Sequence, residues 1–147
     1  MKLAIVTASQ NGATQKVAQI IADTLQEEYG IQATFFDPKR LAPGDIMEYE
    51  IWLIGSSTWG NGDLHRDMDQ LERSLRDCDL SRIWGAAFGT GVSMYPHFCE
   101  AVEILENRLK NSGAHIIQRG LKIDSLTSLD QEKVQDWARW IGERVKH

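Results

Sequence analysis

Short apolar runs alternate along the chain with longer stretches in which apolar residues recur every three or four positions. Leu3–Val6 is continuously apolar; after a small polar segment, Val17, Ile20, Ile21 and Leu25 fall at i, i+3, i+4 and i+8. That pattern predicts a buried strand, a loop and an amphipathic helix stopped near Gly30. Ile31–Phe36 predicts a second strand, ended at Asp37-Pro38. Ile51–Ile54 and Trp84–Phe88 predict a third and a fourth, and His115–Ile117 with Leu121–Ile123 a fifth, broken around Arg119-Gly120. Met68–Leu80 reads as helix. Phe98, Val102, Leu105 and Leu109 mark another, ending near Gly113, and Val134, Trp137, Ala138, Ile141 and Val145 mark the last. Strands that are apolar throughout and flanked by helices belong to a parallel sheet covered on both faces. The expectation is one doubly wound α/β domain over residues 1–147, with no repeat and no linker.

That architecture points to a place. In open parallel sheets, ligands sit beyond the carboxyl ends of the strands, where strand order reverses. The loops there are 8–14, 56–65 and 89–97. In the first, Ser9, Gln10, Asn11, Gly12, Ala13 and Thr14 open directly into a helix. The unpaired N–H groups and partial positive charge of a helix start suit a phosphate. No Lys or Arg is present, and the Walker pattern is absent. The loop reads equally as an ordinary polar turn with a Thr cap.

The second loop, Gly55-Ser56-Ser57-Thr58-Trp59-Gly60-Asn61-Gly62-Asp63-Leu64, sets an indole among hydroxyls and glycines. Trp59 either stacks on a planar ring or tucks into the core, as Trp52, Trp84, Trp137 and Trp140 are expected to do. The third loop, Gly89-Thr90-Gly91-Val92-Ser93-Met94-Tyr95-Pro96-His97-Phe98-Cys99, brings a second aromatic to the same end of the sheet. A planar heterocycle with a phosphate tail would satisfy all three loops at once.

Composition narrows the partners. The chain has 147 residues, 42% hydrophobic and 25% charged, and a formal net charge of −5 from 16 basic and 21 acidic residues. That length suffices for a core without disulfides or metal. Mild acidity without a Lys/Arg run disfavours nucleic acid or an anionic membrane as partner. Cys78 and Cys99 form no CxxC pair and are expected reduced and at least partly buried. The apolar run after Met1 is too short for a signal peptide, and no stretch reaches membrane-span length, so the expected location is the cytoplasm.

Taken in order, Ser9-x-x-Gly12-x-Thr14, Ser57-Thr58-Trp59-Gly60-x-Gly62-Asp63 and Gly89-x-Gly91-x-x-x-Tyr95-x-x-Phe98-Cys99 resemble the flavodoxin family. The resemblance runs on through Leu109-Lys110-Asn111-Ser112-Gly113-Ala114 and Leu121-Lys122-Ile123-Asp124. Without a long insertion in the fifth strand, it is to the short-chain branch. It implies a flavodoxin-like five-stranded sheet of order 2-1-3-4-5. It also implies non-covalent FMN and one-electron transfer from a flavin- or iron-sulfur-containing reductase to electron-accepting enzymes, without catalysis on a substrate of its own; a monomer is the default expectation. Ser9 to Thr14 would wrap the phosphate with Ser57, and Trp59 and Tyr95 would sandwich the isoalloxazine. The Gly60-Asn61 peptide would face N5, and the backbone of Gly91 and Val92 would lie near N1 and the C2 carbonyl. Thr58, Gly62, Thr90, His97, Phe98 and Cys99 complete the implied cofactor shell. No metal is implied.

Three departures stand out. Ala13 replaces the family's Asn, and Val92 its Asp, removing negative charge near N1. The resulting expectation is a second one-electron potential less negative than in a matched protein with Asp there. His65, Arg66 and His97 bring basic groups to a rim that the family keeps acidic, unless they are simply solvated side chains. A reductase acting on its own substrate would need an open flavin face, which Trp59 and Tyr95 should cover. A phosphoacceptor receiver domain would need Asp where Thr7-Ala8 and Ser56-Ser57 stand. A flavin-free interaction module on the same fold remains the alternative from another class.

Overall fold

The structure, a computed structural model, describes residues 2–8, 12–59, 62–94, 96–125 and 129–146, apart from the side chains of Pro43 and Trp59. The strands are β1 (Leu3–Ala8), β2 (Ala33–Phe36), β3 (Ile51–Trp59), β4 (Asp63–Leu64), β5 (Trp84–Gly91), β6 (His115–Ile116) and β7 (Leu121–Asp124). The helices are α1 (Ala13–Tyr29), a short α2 (Pro43–Ile46), α3 (Arg66–Ser74), α4 (Glu100–Asn111) and α5 (Gln131–Val145). Parallel pairing runs β2-β1-β3-β5, with β6 and β7 both on the far edge of β5. Counting β6 and β7 as the two halves of the broken fifth strand, and leaving aside the short antiparallel β4, this is the expected order 2-1-3-4-5.

Alternation along each strand splits the core in two. Leu3 and Ile5, Ile51 and Leu53, and Ala86 and Phe88 face α1 and α5, meeting Val17, Ile21, Leu25, Trp137 and Ile141. Ala4 and Val6, Trp52 and Ile54, and Ala87 face α3 and α4, meeting Met68, Leu71, Val102, Leu105 and Leu109. α1 stops where expected: Gly30, at φ 65, donates its N–H to Gln26, while Ile31 N–H reaches Leu25 O. Left-handed glycine is the usual way to satisfy the last carbonyls of a helix.

Three expectations are corrected. β3 and β5 run on through Gly55-Ser56-Ser57-Thr58 and Gly89-Thr90-Gly91, past the end of their apolar runs. The helix expected over Met68–Leu80 ends at Ser74 and gives way to a 3-10 turn at Leu75–Asp77. Trp84 and Trp140 are not core residues, being 46% and 56% exposed. Trp84 begins its strand and stacks on His115 (centroids 4.7 Å apart), while Trp140 falls outside the inward stripe of α5.

β6 and β7 leave a seam. Ile117 N–H still reaches Gly85 O, and the ladder resumes at Leu121 opposite Phe88. In between, Trp137 Nε1–H donates to Arg119 O at 2.7 Å and Gly120 N–H to Glu106 Oε1 at 2.9 Å.

Candidate functional site

The carboxyl ends of β1, β3, β5 and β7 converge with the start of α1. Ser9, Gln10, Asn11, Gly60, Asn61 and Tyr95 lie outside the described residues, as does the Trp59 side chain. The rest can be placed. Gly12, at φ 81, precedes α1 and accepts its first helical bond, from Lys16 N–H. No side chain among the described residues caps this helix, and its first turn carries no acidic group. Thr14 is therefore not the expected cap. Its hydroxyl lies 2.8 Å from that of Thr90, both buried, which ties the first loop's helix to β5.

Thr90 stands in register with Ser57 on β3. Registered neighbours in a parallel sheet present their side chains on the same face. Ser57 Oγ is buried and is the single such side-chain atom among the described residues with no hydrogen-bond partner. A buried, unanswered hydroxyl costs about 1–3 kcal/mol, and native structures hold few of them. Three hydroxyls thus share one rim beside the start of α1.

The second loop is a hairpin: Thr58 and Trp59 of β3 pair antiparallel with Leu64 and Asp63 of β4. Thr58 Oγ1 accepts from Ala101 N–H at 3.2 Å, fastening the hairpin to the start of α4. Ser56 Oγ accepts from His65 N–H at 3.1 Å. Gly62, at φ 99, packs so closely that a Cβ there would lie 2.4 Å from Glu100 Oε2. Glu100 in turn pairs with His97 Nδ1 at 2.6 Å, so the second and third loops meet over this glycine.

His65 corrects the expectation of a solvated rim side chain. It is buried, and its Nδ1 accepts from Asp67 N–H at 3.1 Å as the cap of α3. Arg66 is solvated, with 88% of its side chain exposed, and His97 is about half exposed.

In the third loop Gly91 is enclosed. A Cβ at that position would lie 2.9 Å from Cys99 N. Cys99 is buried in a left-handed turn (φ 52), its Sγ directed at the carbonyls of Gly89 and Ile123, and burial pushes its thiol up to about 11. Phe98 packs against the α3/α4 core and Val92 is half-buried. Ser125 N–H and Oγ–H both donate to Gly91 O, at 2.8 and 3.0 Å. The Asp124 carboxylate accepts from Ser93 N–H at 3.4 Å and from the Ser93 hydroxyl. Asp124, Ser125 and Glu100 were not singled out from the sequence. The strand-end rule pointed at their neighbourhood, since Asp124 closes the last parallel strand.

No helix among the described residues is long and apolar enough to cross a membrane. The family model described as flavodoxin matches residues 5–137. Probable flavodoxin 1 of Bacillus subtilis is 34% identical over 131 residues, covering 89% of this chain and 82% of its own. A flavodoxin of Maridesulfovibrio salexigens is 31% identical over 147 residues, covering 98% of this chain and 99% of its own. The crystal structure of oxidised flavodoxin 2 from Bacillus cereus superposes with a TM-score of 0.89 at 32% identity, covering 97% of this chain and 99% of the other.

Proposed function

The chain belongs to the flavodoxin family of FMN-binding electron-transfer proteins, and from that premise we propose which residues hold FMN and how the protein is used. Residues 1–147 act as a single FMN-binding domain. Ser9 to Thr14 wrap the phosphate, using main-chain N–H groups at the start of α1 and the hydroxyls of Thr14 and Ser57. Trp59 and Tyr95 stack on the two faces of the ring. The Gly60-Asn61 peptide meets N5, and the Gly91 and Val92 backbone meets the pyrimidine end. When bound, FMN supplies the one-electron chemistry; the chain orients it and sets its surroundings.

The observation that carries this assignment is the Ser57 hydroxyl, buried without a partner at the rim where the Thr14–Thr90 pair meets the start of α1. An anion accepting hydrogen bonds at that rim answers the orphaned donor and complements the helix dipole.

In this reading the chain is an electron carrier rather than a catalyst with its own substrate. The donor is a flavin- or iron-sulfur-containing reductase and the acceptors are redox enzymes, served by a cytoplasmic monomer. FMN added to the apoprotein should quench tryptophan emission and raise the melting temperature. Anaerobic photoreduction of the complex should then pass through a long-wavelength-absorbing one-electron state. A chain whose emission and melting ignore FMN overturns the assignment.

A further inference from the structure

We propose that the face formed by the 3-10 turn Pro38–Arg40 and α3 is a docking surface for a redox partner that presents clustered carboxylates, an inference that rests on the FMN assignment above. The turn follows β2 and α3 follows the β3–β4 hairpin, so Lys39, Arg40 and Arg66 stand at the carboxyl end of the sheet, level with the candidate site. Lys39 Nζ lies 3.6 Å from Asp67 Oδ2, and Arg66 Nε 3.9 Å from Asp67 Oδ1. The anion sits beneath its cations: the Asp67 side chain is 19% exposed, against 59% for Lys39 and 88% for Arg66. The exposed Asp37 beside them turns one oxygen onto the Lys39 N–H at 3.0 Å, and Arg40 is exposed.

The same layering continues along α3. Arg66 and Arg73 fall at i and i+7, on the side opposite Met68 and Leu71, which face the core. Arg73 pairs with Asp69 at 3.0 Å, and Arg76 covers Glu72, whose carboxylate is buried. In a chain of net charge −5, this face thus turns cations outward and holds Asp67 and Glu72 inward. Each such pair is a dipole with its positive end toward solvent, and Arg40 adds a full charge. Complementary potentials steer encounter and fix orientation more than they add affinity. Exposed charges lose that influence beyond a Debye length, about 8–10 Å at ordinary ionic strength. A partner bearing carboxylates is therefore drawn to this side of the rim, and a basic partner is not.

The probes are two haem proteins, acidic cytochrome b5 and basic cytochrome c, each taking one electron at its iron(III) from FMN-loaded protein reduced with stoichiometric dithionite. In stopped flow at low ionic strength, the triple variant Lys39→Gln/Arg40→Gln/Arg66→Gln should reduce cytochrome b5 about three- to tenfold more slowly than wild type, the gap closing as salt is added. Lys2→Gln/Arg144→Gln/Lys146→Gln lowers the net charge equally at the opposite end of the sheet. It should slow the same reaction by no more than about a third as much. Neither variant should reduce cytochrome c more slowly than wild type. No slowing by the first variant, or equal slowing by both, overturns the proposal. If the first variant does not fold, Arg66→Gln alone should slow cytochrome b5 reduction about 1.5- to threefold, and a wild-type rate overturns the proposal. Loss of binding to phosphatidylglycerol vesicles by the first variant, with cytochrome b5 still reduced at the wild-type rate, gives the face to a membrane and also overturns it. Wild-type protein that takes up FMN and reduces either cytochrome leaves the FMN assignment standing whichever way the variants behave.

Discussion

Ser57 carries a hydroxyl that nothing in the described chain answers, and this makes a sharp test at the level of one atom. Ser57→Ala removes no protein hydrogen bond, so apoprotein stability in urea should hold or rise by up to about 1 kcal/mol. FMN affinity should fall at least about tenfold, since a hydrogen bond to a charged group is worth roughly 1.5–3 kcal/mol. Val92→Asp should make the second one-electron potential of the FMN complex more negative, read by anaerobic redox titration, because it adds negative charge where the reduced ring would become anionic. The thiols divide by burial. Native protein should titrate one cysteine readily with Ellman's reagent at neutral pH, the half-buried Cys78, and Cys99 only after unfolding. Burial raises the Cys99 thiol from 9.0 to about 11, so the folded state favours its neutral form. The stability this gives is intact below pH 9 and declines as pH rises from there toward 11. Urea midpoints at pH 7 and pH 10.5 should therefore differ less in Cys99→Ala than in wild type.

Among the elements, the helices and the starts of the strands were legible from the sequence, because apolar spacing reports directly on which face is buried. Strand ends were not. Gly55-Ser56-Ser57 and Gly89-Thr90-Gly91 look like loop, yet they stay in the ladder because Ser56 and Ser57 pair with Gly89 and Thr90, Gly55 with Phe88, and Gly91 with Asp124 of β7. That contact is invisible along either segment alone. The tryptophans failed for a related reason: hydrophobicity says what a residue prefers, whereas Trp140 lies off the Val134–Trp137–Ile141 stripe and Trp84 sits at a strand's first position. His65 read as a loop residue because its role, capping α3 through Nδ1, depends on where that helix begins. The clearest link between elements is Glu72 of α3, buried and bound by Arg76 and by Arg108 of α4, at 3.1 and 3.3 Å. Glu72→Ala strands the largely buried Arg108. It should cost about 2–3 kcal/mol by urea denaturation, below the roughly 3–5 kcal/mol of a fully buried pair because Arg76 is half exposed.

At the scale of the whole molecule, two apolar layers hold a sheet, and the described candidate site residues gather at the carboxyl ends of its strands. The ligand class was legible in the sequence, from the residue patterns of three loops at 8–14, 56–65 and 89–97. The fastening of that rim was not, since Thr14–Thr90, Gly62–Glu100 and Asp124–Ser93 each join segments that are far apart in sequence. The seam between β6 and β7 belongs to the opposite logic. There the sheet already skips pairing, and the neighbouring backbone groups are served by Glu106 and Trp137 rather than by another strand. This makes residues 118–119 a natural port for grafting, since tolerance of inserted sequence follows the burial and bonding of the interrupted backbone. A flexible decapeptide spliced between Gln118 and Arg119 should shift the melting temperature by only a few degrees and leave FMN uptake intact. The same splice between Ala86 and Ala87 should abolish folding. Such a port would let a reporter or a foreign docking epitope ride on an electron shuttle without touching the edge that exchanges electrons.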